Sequence, residues 1–354
     1  MAKLNVAVSG VSGGCGTSIM KALLSSPTLA GLGLKVFPLD ITPFAVGLYG
    51  RTEPGTVLPK PEDDPEAWEE AIRKLELDVI FPGSDNDLVP LAEHRDCWFE
   101  RYGCRVMVSG VESVKIANDK ALTVSHLTSY LALHLPFSSW YEQNERMYHG
   151  MHSFEKNMAY IVKPRFGANS RGLHICTVDE LAFYVKHTPD PIIQEFIEGD
   201  EYSGAITYDK DGEAKAFFVT RVYKRTGHMT FGEVGHYPQI EAFLREFAEK
   251  TKPLGFSHAL NVQMIEREGV MYIIELNARC SGSTAIRSHF GFNQPAQLIL
   301  HHIYDLLIEK LPQVECERSN GLAMTFTDET FFDGVTRDEM AQGIQKRGRK
   351  EQWF

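Results

Sequence analysis

In the stretch SHALNVQMIEREGVMYIIELNARCSG (257–282), side chains bearing carbonyl or carboxylate oxygens recur at alternate positions. Asn261 and Gln263 lie in one apolar run, Glu275 and Asn277 in the next, and Arg279 follows two residues on. Alternate residues of a strand share a face. With Arg267-Glu268-Gly269 as a three-residue turn and Gly269 in the left-handed position, the two runs pair as an antiparallel hairpin. Leu260 then faces Leu276, Val262 faces Ile274 and Met264 faces Tyr272, an unbroken apolar face. The other face pairs Ile265 with Met271, Gln263 with Ile273, Asn261 with Glu275 and Ala259 with Asn277, apolar near the turn and polar at its far end. A one-residue slip would break the apolar face. Oxygens from Gln263, Glu275 and Asn277 suit Mg2+ or Mn2+, with phosphate oxygens completing the shell. Taken by itself, such a strand end reads equally well as a solvated polar edge.

Two further segments carry groups that suit a nucleotide. Lys163 leaves the apolar strand AYIV, and after Pro164 comes the loop Arg165-Phe166-Gly167-Ala168-Asn169-Ser170-Arg171-Gly172. A lysine so placed can hold phosphate oxygens while loop N–H groups cover them. This is not a Walker A loop, since no G-K-[ST] follows and a strand rather than a helix succeeds it. An ordinary surface hairpin shows the same composition. The segment IQEFIEGDEY (193–202) turns at Gly199. It can offer main-chain groups to an adenine edge, with Phe196 or Ile197 packing on the ring and Glu201 accepting ribose hydroxyls; a charged hairpin bend fits it as well.

These groups need strands and helices to hold them. LNVAVS (4–9) runs through a glycine turn, Gly10 to Gly16, into the helical stretch SIMKALLSS. The strand LKVFPLD ends at Asp40, PEAWEEAIRKL (65–75) reads as an amphipathic helix, and LDVIFPGSD (77–85) and RVMVSG (105–110) supply two more strands. Strands alternating with helices give a parallel sheet covered on both faces, a small doubly wound domain over about the first 115 residues. Beyond residue 120 the pattern changes. Residues 158–176 read as strand, glycine loop, strand, and 191–224 as antiparallel hairpins about Asp211-Gly212. The helix IEAFLREFAEKTKPLG, the hairpin at 259–281 and a helix over 294–311 follow. The plan is α/β first, then α+β.

Four pieces in this order, Lys120 in NDKALTVSHL, then VKPRFGANSRG, QEFIEGDEYSG, and NVQM with IIELNARCSGS, resemble the ATP-grasp superfamily. They are most similar to the branch of the carbamoyl phosphate synthetase large subunit. The resemblance covers roughly residues 115–300, and the first domain has the element order of the one that precedes ATP-grasp. It implies a pre-ATP-grasp domain over 1–115, a small lid subdomain over 116–192 and a C-terminal subdomain with the metal site over 193–354. It implies that Lys120 and Lys163 bind phosphates, with Gly167, Ser170, Arg171 and Gly172 in the loop that closes over them. Glu195, Phe196 and Ile197 would line the adenine slot, mainly by main chain, and Glu201 would hold the ribose. Gln263, Glu275 and Asn277 would hold two metal ions, and Arg279 would face the transferred phosphate and the acyl group. One position departs from the family's pattern: Ala278 stands where a proline is usual.

The implied activity is ADP-forming ligation, in which a carboxylate is activated by the γ-phosphate of ATP and then attacked by an amine. Phosphoryl transfer asks for positioning and charge neutralisation rather than a covalent nucleophile, which suits these residues. A nucleotide-binding regulator without activity, and a nicotinamide-dependent oxidoreductase built on the Gly10–Gly16 turn and Asp40, are the alternatives. GVSGGCG is not a true G-x-G-x-x-G, and any such domain needs a glycine turn there. Ser84, Asp85 and Asn86, at the C-terminal end of a parallel strand, with Ser281 and Arg287, are candidate substrate contacts. Ser84–Asn86 read equally as a helix N-cap, and Arg287 as a surface residue. The formal charge of −11 argues against sequence-independent nucleic-acid binding, and the short basic KRGRK stretch lies only near the C-terminus. No apolar run reaches membrane-spanning length. The six cysteines show no C-x-x-C pair; reduced thiols in a cytoplasmic protein are expected. The partners expected are a small-molecule carboxylate and an amine, of amino-acid or peptide-like character, and a homodimer is compatible with the sequence.

Overall fold

A computed structural model describes residues 3–50, 52–142, 147–150, 154–167, 171–226, 228–311, 320–325 and 336–342. Ser170, Cys316 and the KRGRK stretch lie outside the described residues.

The first sheet is parallel. Its elements are β1 (Leu4–Val8), α1 (Gly14–Leu24), α2 (Pro27–Gly31), β2 (Leu34–Asp40), β3 (Thr56–Val57), α3 (Pro65–Lys74), β4 (Val79–Phe81), α4 (Asp85–Tyr102) and β5 (Arg105–Val106). Every residue of β1 is buried, as a strand covered on both faces requires. Helix α3 starts where Asp64 accepts from Ala67 N–H with Pro65 at the first position, and α4 ends on left-handed Gly103 (φ 70°). The strand order is β3-β2-β1-β4-β5, so the chain reverses direction between β1 and β4. A crevice forms at such a reversal, outside the carboxyl ends of the strands. Here two glycines let its loops touch. A Cβ on Gly10 (φ 60°) would lie 2.7 Å from Ser84 Cβ, and one on Gly83 would lie 2.2 Å from the Ser9 carbonyl oxygen. Asp40 accepts from Ser12 N–H (2.7 Å) and Thr42 N–H (3.2 Å), so its carboxylate braces the glycine turn.

Helices α5 (Val111–Asn118) and α6 (Lys120–Leu131) lead to the second sheet. It contains β6 (Ser138–Glu142), β7 (Met147–Gly150), β8 (Tyr160–Pro164), β9 (His174–Cys176) and β10 (Pro191–Glu195), in the order β7-β6-β10-β8-β9. Between β9 and β10, α7 (Leu181–His187) packs on one face, where Leu181 meets Tyr160, Val162, Cys176 and Ile193.

The third sheet is antiparallel throughout. It comprises β11 (Asp200–Tyr208), β12 (Ala214–Thr226), β13 (His228–Val234), β14 (Ala259–Arg267), β15 (Val270–Asn277) and, after the helices named below, β16 (Gly321–Met324), in the order β15-β14-β11-β12-β13-β16. Helix α8 (Pro238–Lys250) covers one face with Phe243, Leu244 and Phe247 against Tyr202, Ile206, Leu260, Val262 and Met264. Helices α9 (Thr284–His289) and α10 (Gln294–His302) follow β15, and the short α11 (Arg337–Ala341) follows β16. Among the described residues no helix is long and apolar enough to cross a membrane.

Two expectations are corrected. The β14–β15 hairpin turns on two residues, Glu268 (φ 55°) and Gly269 (φ 82°), with Arg267 opposite Val270. Two left-handed residues match the right-handed twist of the flanking strands, which a three-residue turn is not needed to supply. A bulge then absorbs Ile274, so that Gln263 faces Glu275 while Met264 faces Ile273. The pairs observed are Asn261–Asn277, Val262–Leu276, Gln263–Glu275, Met264–Ile273 and Ile265–Tyr272, in place of those expected. The helix expected over 294–311 stops at His302. Asp305 adopts φ 56°, and Leu306 N–H turns back to the Leu300 carbonyl.

Candidate active site

One face of the third sheet carries polar side chains in register. Across the strands, Thr220, Ser203, Gln263 and Glu275 form one row, and Phe218, Ala205, Asn261 and Asn277 form the next. On the hairpin-tip side, Glu201 lies beside Ile265, which faces Tyr272. The bulge sharpens the expected grouping, because Gln263 now lies directly opposite Glu275. Among the described residues no group of three His, Cys, Asp or Glu side chains could hold a metal ion. One carboxylate with two carboxamides is a hard-oxygen set too weak to stand alone, and it fits a cation that arrives with phosphate oxygens.

The second sheet and α6 each bring a lysine to this face. Lys163, at the end of β8, donates to the Ile274 carbonyl (3.3 Å), the residue that the bulge inserts. It is buried, and burial pushes its ammonium down to about 8; Glu275 opposes that shift and Lys120 adds to it. Lys120 opens α6, with its Nζ 3.5 Å from Glu275 Oε1 and 3.0 Å from the Gly167 carbonyl to which it donates. Asp119 anchors this corner. It accepts from Ala121 N–H at the start of α6 and from Arg165 through both carboxylate oxygens, at 3.0 and 2.6 Å. The loop that begins at Arg165 is thus rooted beside Lys120, while Arg171 and Gly172, at its far end, are exposed. Gly167 and Gly172 have φ of 145° and 70°, backbone that side chains resist.

At the other end of the face, Phe196 N–H donates to the Ala159 carbonyl (3.0 Å) and Glu195 N–H to the Phe137 carbonyl (2.8 Å), and Ile197 is buried. The Glu195 carboxylate is taken by Arg267 (3.3 Å), which also donates to Tyr272 Oη and lies over its ring.

Arg279 is clasped from the first sheet. Its Nε and Nη2 donate to the two oxygens of Asp85 (2.6 and 2.9 Å), Nη2 also to Asn277 Oδ1 (3.1 Å), and Nη1 to the Cys280 carbonyl (3.2 Å). Burial opposes the charge on each partner, and the opposite charge outweighs it. Asp85 is held below the usual carboxylate range and Arg279 above the usual guanidinium range. Across the bend at Ala278, Arg279 N–H donates to the Asn277 carbonyl (2.8 Å), so the backbone turns there without a proline.

Residues 117–283 match the family model described as ATP-grasp domain. This stretch is an ATP-grasp domain. Three solved structures share the fold across most of the chain. An L-amino acid ligase from Bacillus licheniformis has a TM-score of 0.68 at 14% identity, covering 94% of this chain and 83% of that one. An N5-carboxyaminoimidazole synthetase from Staphylococcus aureus, complexed with ADP, has 0.65 at 17%, covering 85% and 77%. A D-alanine–D-alanine ligase from Bacillus anthracis, complexed with ATP, has 0.56 at 16%, covering 85% and 96%. No curated protein sequence matches. At these identities the likeness establishes the ATP-grasp fold, preceded here by the doubly wound parallel sheet.

The remaining candidates divide. Ser84 is the N-cap of α4, its Oγ accepting from Asn86 N–H (3.3 Å), as one of the two readings has it. Asp85 reaches the ATP-grasp domain, but its carboxylate is committed to Arg279. Ser281 is spent locally, its Oγ accepting from Ser283 N–H (3.2 Å) and its carbonyl from Thr284 Oγ1 (2.7 Å). Arg287 is no surface residue. It is 1% exposed, and its Nη2 donates to Ser203 Oγ and Asn261 Oδ1, both at 2.9 Å. Sequence reading missed Ser203, Asp119 and Arg165. Asp119 left a signal, an acidic residue immediately before a helical run. It also missed Cys15, a half-buried thiol in the first turn of α1.

Proposed function

We propose that the chain is an ATP-dependent, ADP-forming ligase that activates a carboxylate as an acyl phosphate and joins it to an amine of amino-acid or peptide-like character. It belongs with the branch similar to the carbamoyl phosphate synthetase large subunit. The observation that carries this reading is Gln263 facing Glu275, with Asn277 beside them, under Lys163 and Lys120. These would be metal donors on the third sheet, met by phosphate cations from β8 and the start of α6. The three related structures are all named for ligases or synthetases, and two are complexed with ADP or ATP.

In this reading Lys163 and Lys120 hold phosphate oxygens, and the loop through Gly167, Ser170, Arg171 and Gly172 covers them. Glu195 and Phe196 N–H are already spent on the Phe137 and Ala159 carbonyls, so base recognition falls to the remaining main-chain groups from Glu195 to Ile197, with Glu201 toward the ribose. Gln263, Glu275 and Asn277 would hold Mg2+, up to two ions. When bound, the cation offsets charge on the β- and γ-phosphates. A carboxylate oxygen of the acid attacks the γ-phosphorus as the bond to the β-phosphate oxygen breaks, leaving ADP. The amine nitrogen then attacks the acyl carbon, losing a proton and expelling phosphate. Arg279 lies where charge moves onto the acid, with its remaining Nη1–H available to it.

Glu275→Gln keeps the shape and removes the only carboxylate of the donor set. ADP release from pooled carboxylates and amines is expected to fall by roughly 100-fold or more, the scale of losing a preorganised charge contact, with the melting temperature retained. Undiminished turnover in that variant would sink the metal assignment. Tight Mg-ATP binding with no ADP release from any acid and amine pool would favour the regulator.

A further inference from the structure

We infer that Asp85 is a positioning residue through which the parallel-sheet domain sets the metal-binding geometry of Asn277, by way of Arg279. The inference rests on the metal assignment above. Asp85 opens α4 at the crevice between β1 and β4, and 194 residues separate it from Arg279 in sequence. The carboxylate meets the Nε/Nη2 edge of the guanidinium, the two-point geometry that fixes both position and plane. The fixed plane aims Nη2 at Asn277 Oδ1. A carboxamide oxygen has two lone pairs, so a bond from Arg279 orients it while one pair stays free for a cation.

Asn277 ends β15 and has little else to hold its amide. Ala278 leaves φ unconstrained, and the bend is closed by the single Arg279 N–H to Asn277 carbonyl bond. The guanidinium has five N–H groups, and four are committed to Asp85, Asn277 and the Cys280 carbonyl. Arg279 therefore does not present its fork to an incoming carboxylate. Asp85, a candidate substrate contact in the sequence, holds that fork instead. Partners of this kind, which orient ligands without touching the metal, cost roughly 10–100-fold in metal affinity when removed.

The test uses the full chain and calorimetric titration of ATP, with excess Mg2+ and with EDTA. Wild type is expected to bind ATP more tightly with Mg2+. In Asp85→Asn that gain falls by roughly 10–100-fold while affinity for metal-free ATP does not fall, and Asp85→Glu, which keeps the charge on a longer stem, recovers part of it. An unchanged Mg2+ gain in Asp85→Asn overturns the inference, as does tighter Mg-ATP binding, which would make Asp85 a competitor for the fork. Equal losses with and without Mg2+ also overturn it, since they report general loosening. If Asp85→Asn does not fold, Asp85→Glu decides alone: its Mg2+ gain must fall selectively. A wild type that gains nothing from Mg2+ defeats the metal assignment itself.

Discussion

Lys163 carries a charge that its surroundings resist. It is 8% exposed, and burial drives its ammonium to about 8, against Glu275 and with Lys120. Charge on this lysine is what a phosphate needs, and it is lost as pH rises through that value. Affinity for metal-free ATP is therefore expected to decline above about pH 8, by about fivefold over the next pH unit as the protonated fraction falls. Lys163→Arg, whose guanidinium stays protonated, should flatten the profile. A wild-type profile flat to pH 10 would refute this environment. That Lys163, Glu275 and Asn277 come together was legible because each is a chemically distinctive residue near the end of a readable strand. The hold of Asp85 on Arg279 was not, since nothing local in either segment announces a partner so distant in the chain.

Elements were legible where pattern and punctuation agree, as in β1, β2, α3 and the hairpin about Asp211-Gly212. The β14–β15 register was not, because β15 is apolar on both sides near the tip and a bulge leaves no signature in alternation. The end of α10 was hidden for a similar reason. Its apolar period continues past His302, while the break depends on His301, whose Nδ1 donates to the Leu306 carbonyl as Nε2 accepts from Lys210 N–H. Beside it His302 stacks on His258 at 4.4 Å, and His302 Nε2 is buried with no hydrogen-bond partner among the described residues. Burial holds His302 at about 3 and His258 well below its ordinary 6.5, with His301, Arg105, Lys210 and Arg95 adding to the shifts and Asp209 opposing that of His302. The unfolded chain thus takes up protons below pH 6.5 that the folded one refuses, and stability falls as pH falls. The expected slope is about 1.4 kcal/mol per pH unit for each histidine below that point. Unfolding of wild type and His302→Phe in denaturant between pH 7 and 5 measures it. The variant should lose about half of this slope, and identical slopes would rule the stack out as its source.

At the scale of the molecule, the cores show which parts unfold together. The largest cluster runs from Phe37 and Ile80 in the parallel sheet and Trp98 of α4 to Phe243, Phe247 and Met264 around α8 and the third sheet. A second joins Val6 and Ile19 to Leu298 and Ile299 of α10. Ala285 N–H to Ser18 Oγ (2.8 Å) and Asn293 Nδ2 to the Ala22 carbonyl (2.8 Å) seal α1 against α9 and α10. The parallel sheet and the third sheet therefore share one interior and should melt as one unit. The second sheet differs. Its core of Tyr160, Val162, Cys176, Leu181 and Ile193 is its own, and its ties to the rest named above are polar: Arg165 to Asp119, Lys120 to Gly167, Lys163 to Ile274 and Arg267 to Glu195. A small separate core on polar ties opens at less than the global free energy. Hydrogen exchange should show amides of β8 and β10 exchanging faster than those of β11 and β14, with Mg-ATP slowing the former by bridging Lys163 to Glu275. Protection of β8 equal to that of β11 without nucleotide would mean that the two bodies are one, and Lys163 would then meet the metal strand in a fixed slot rather than by closure.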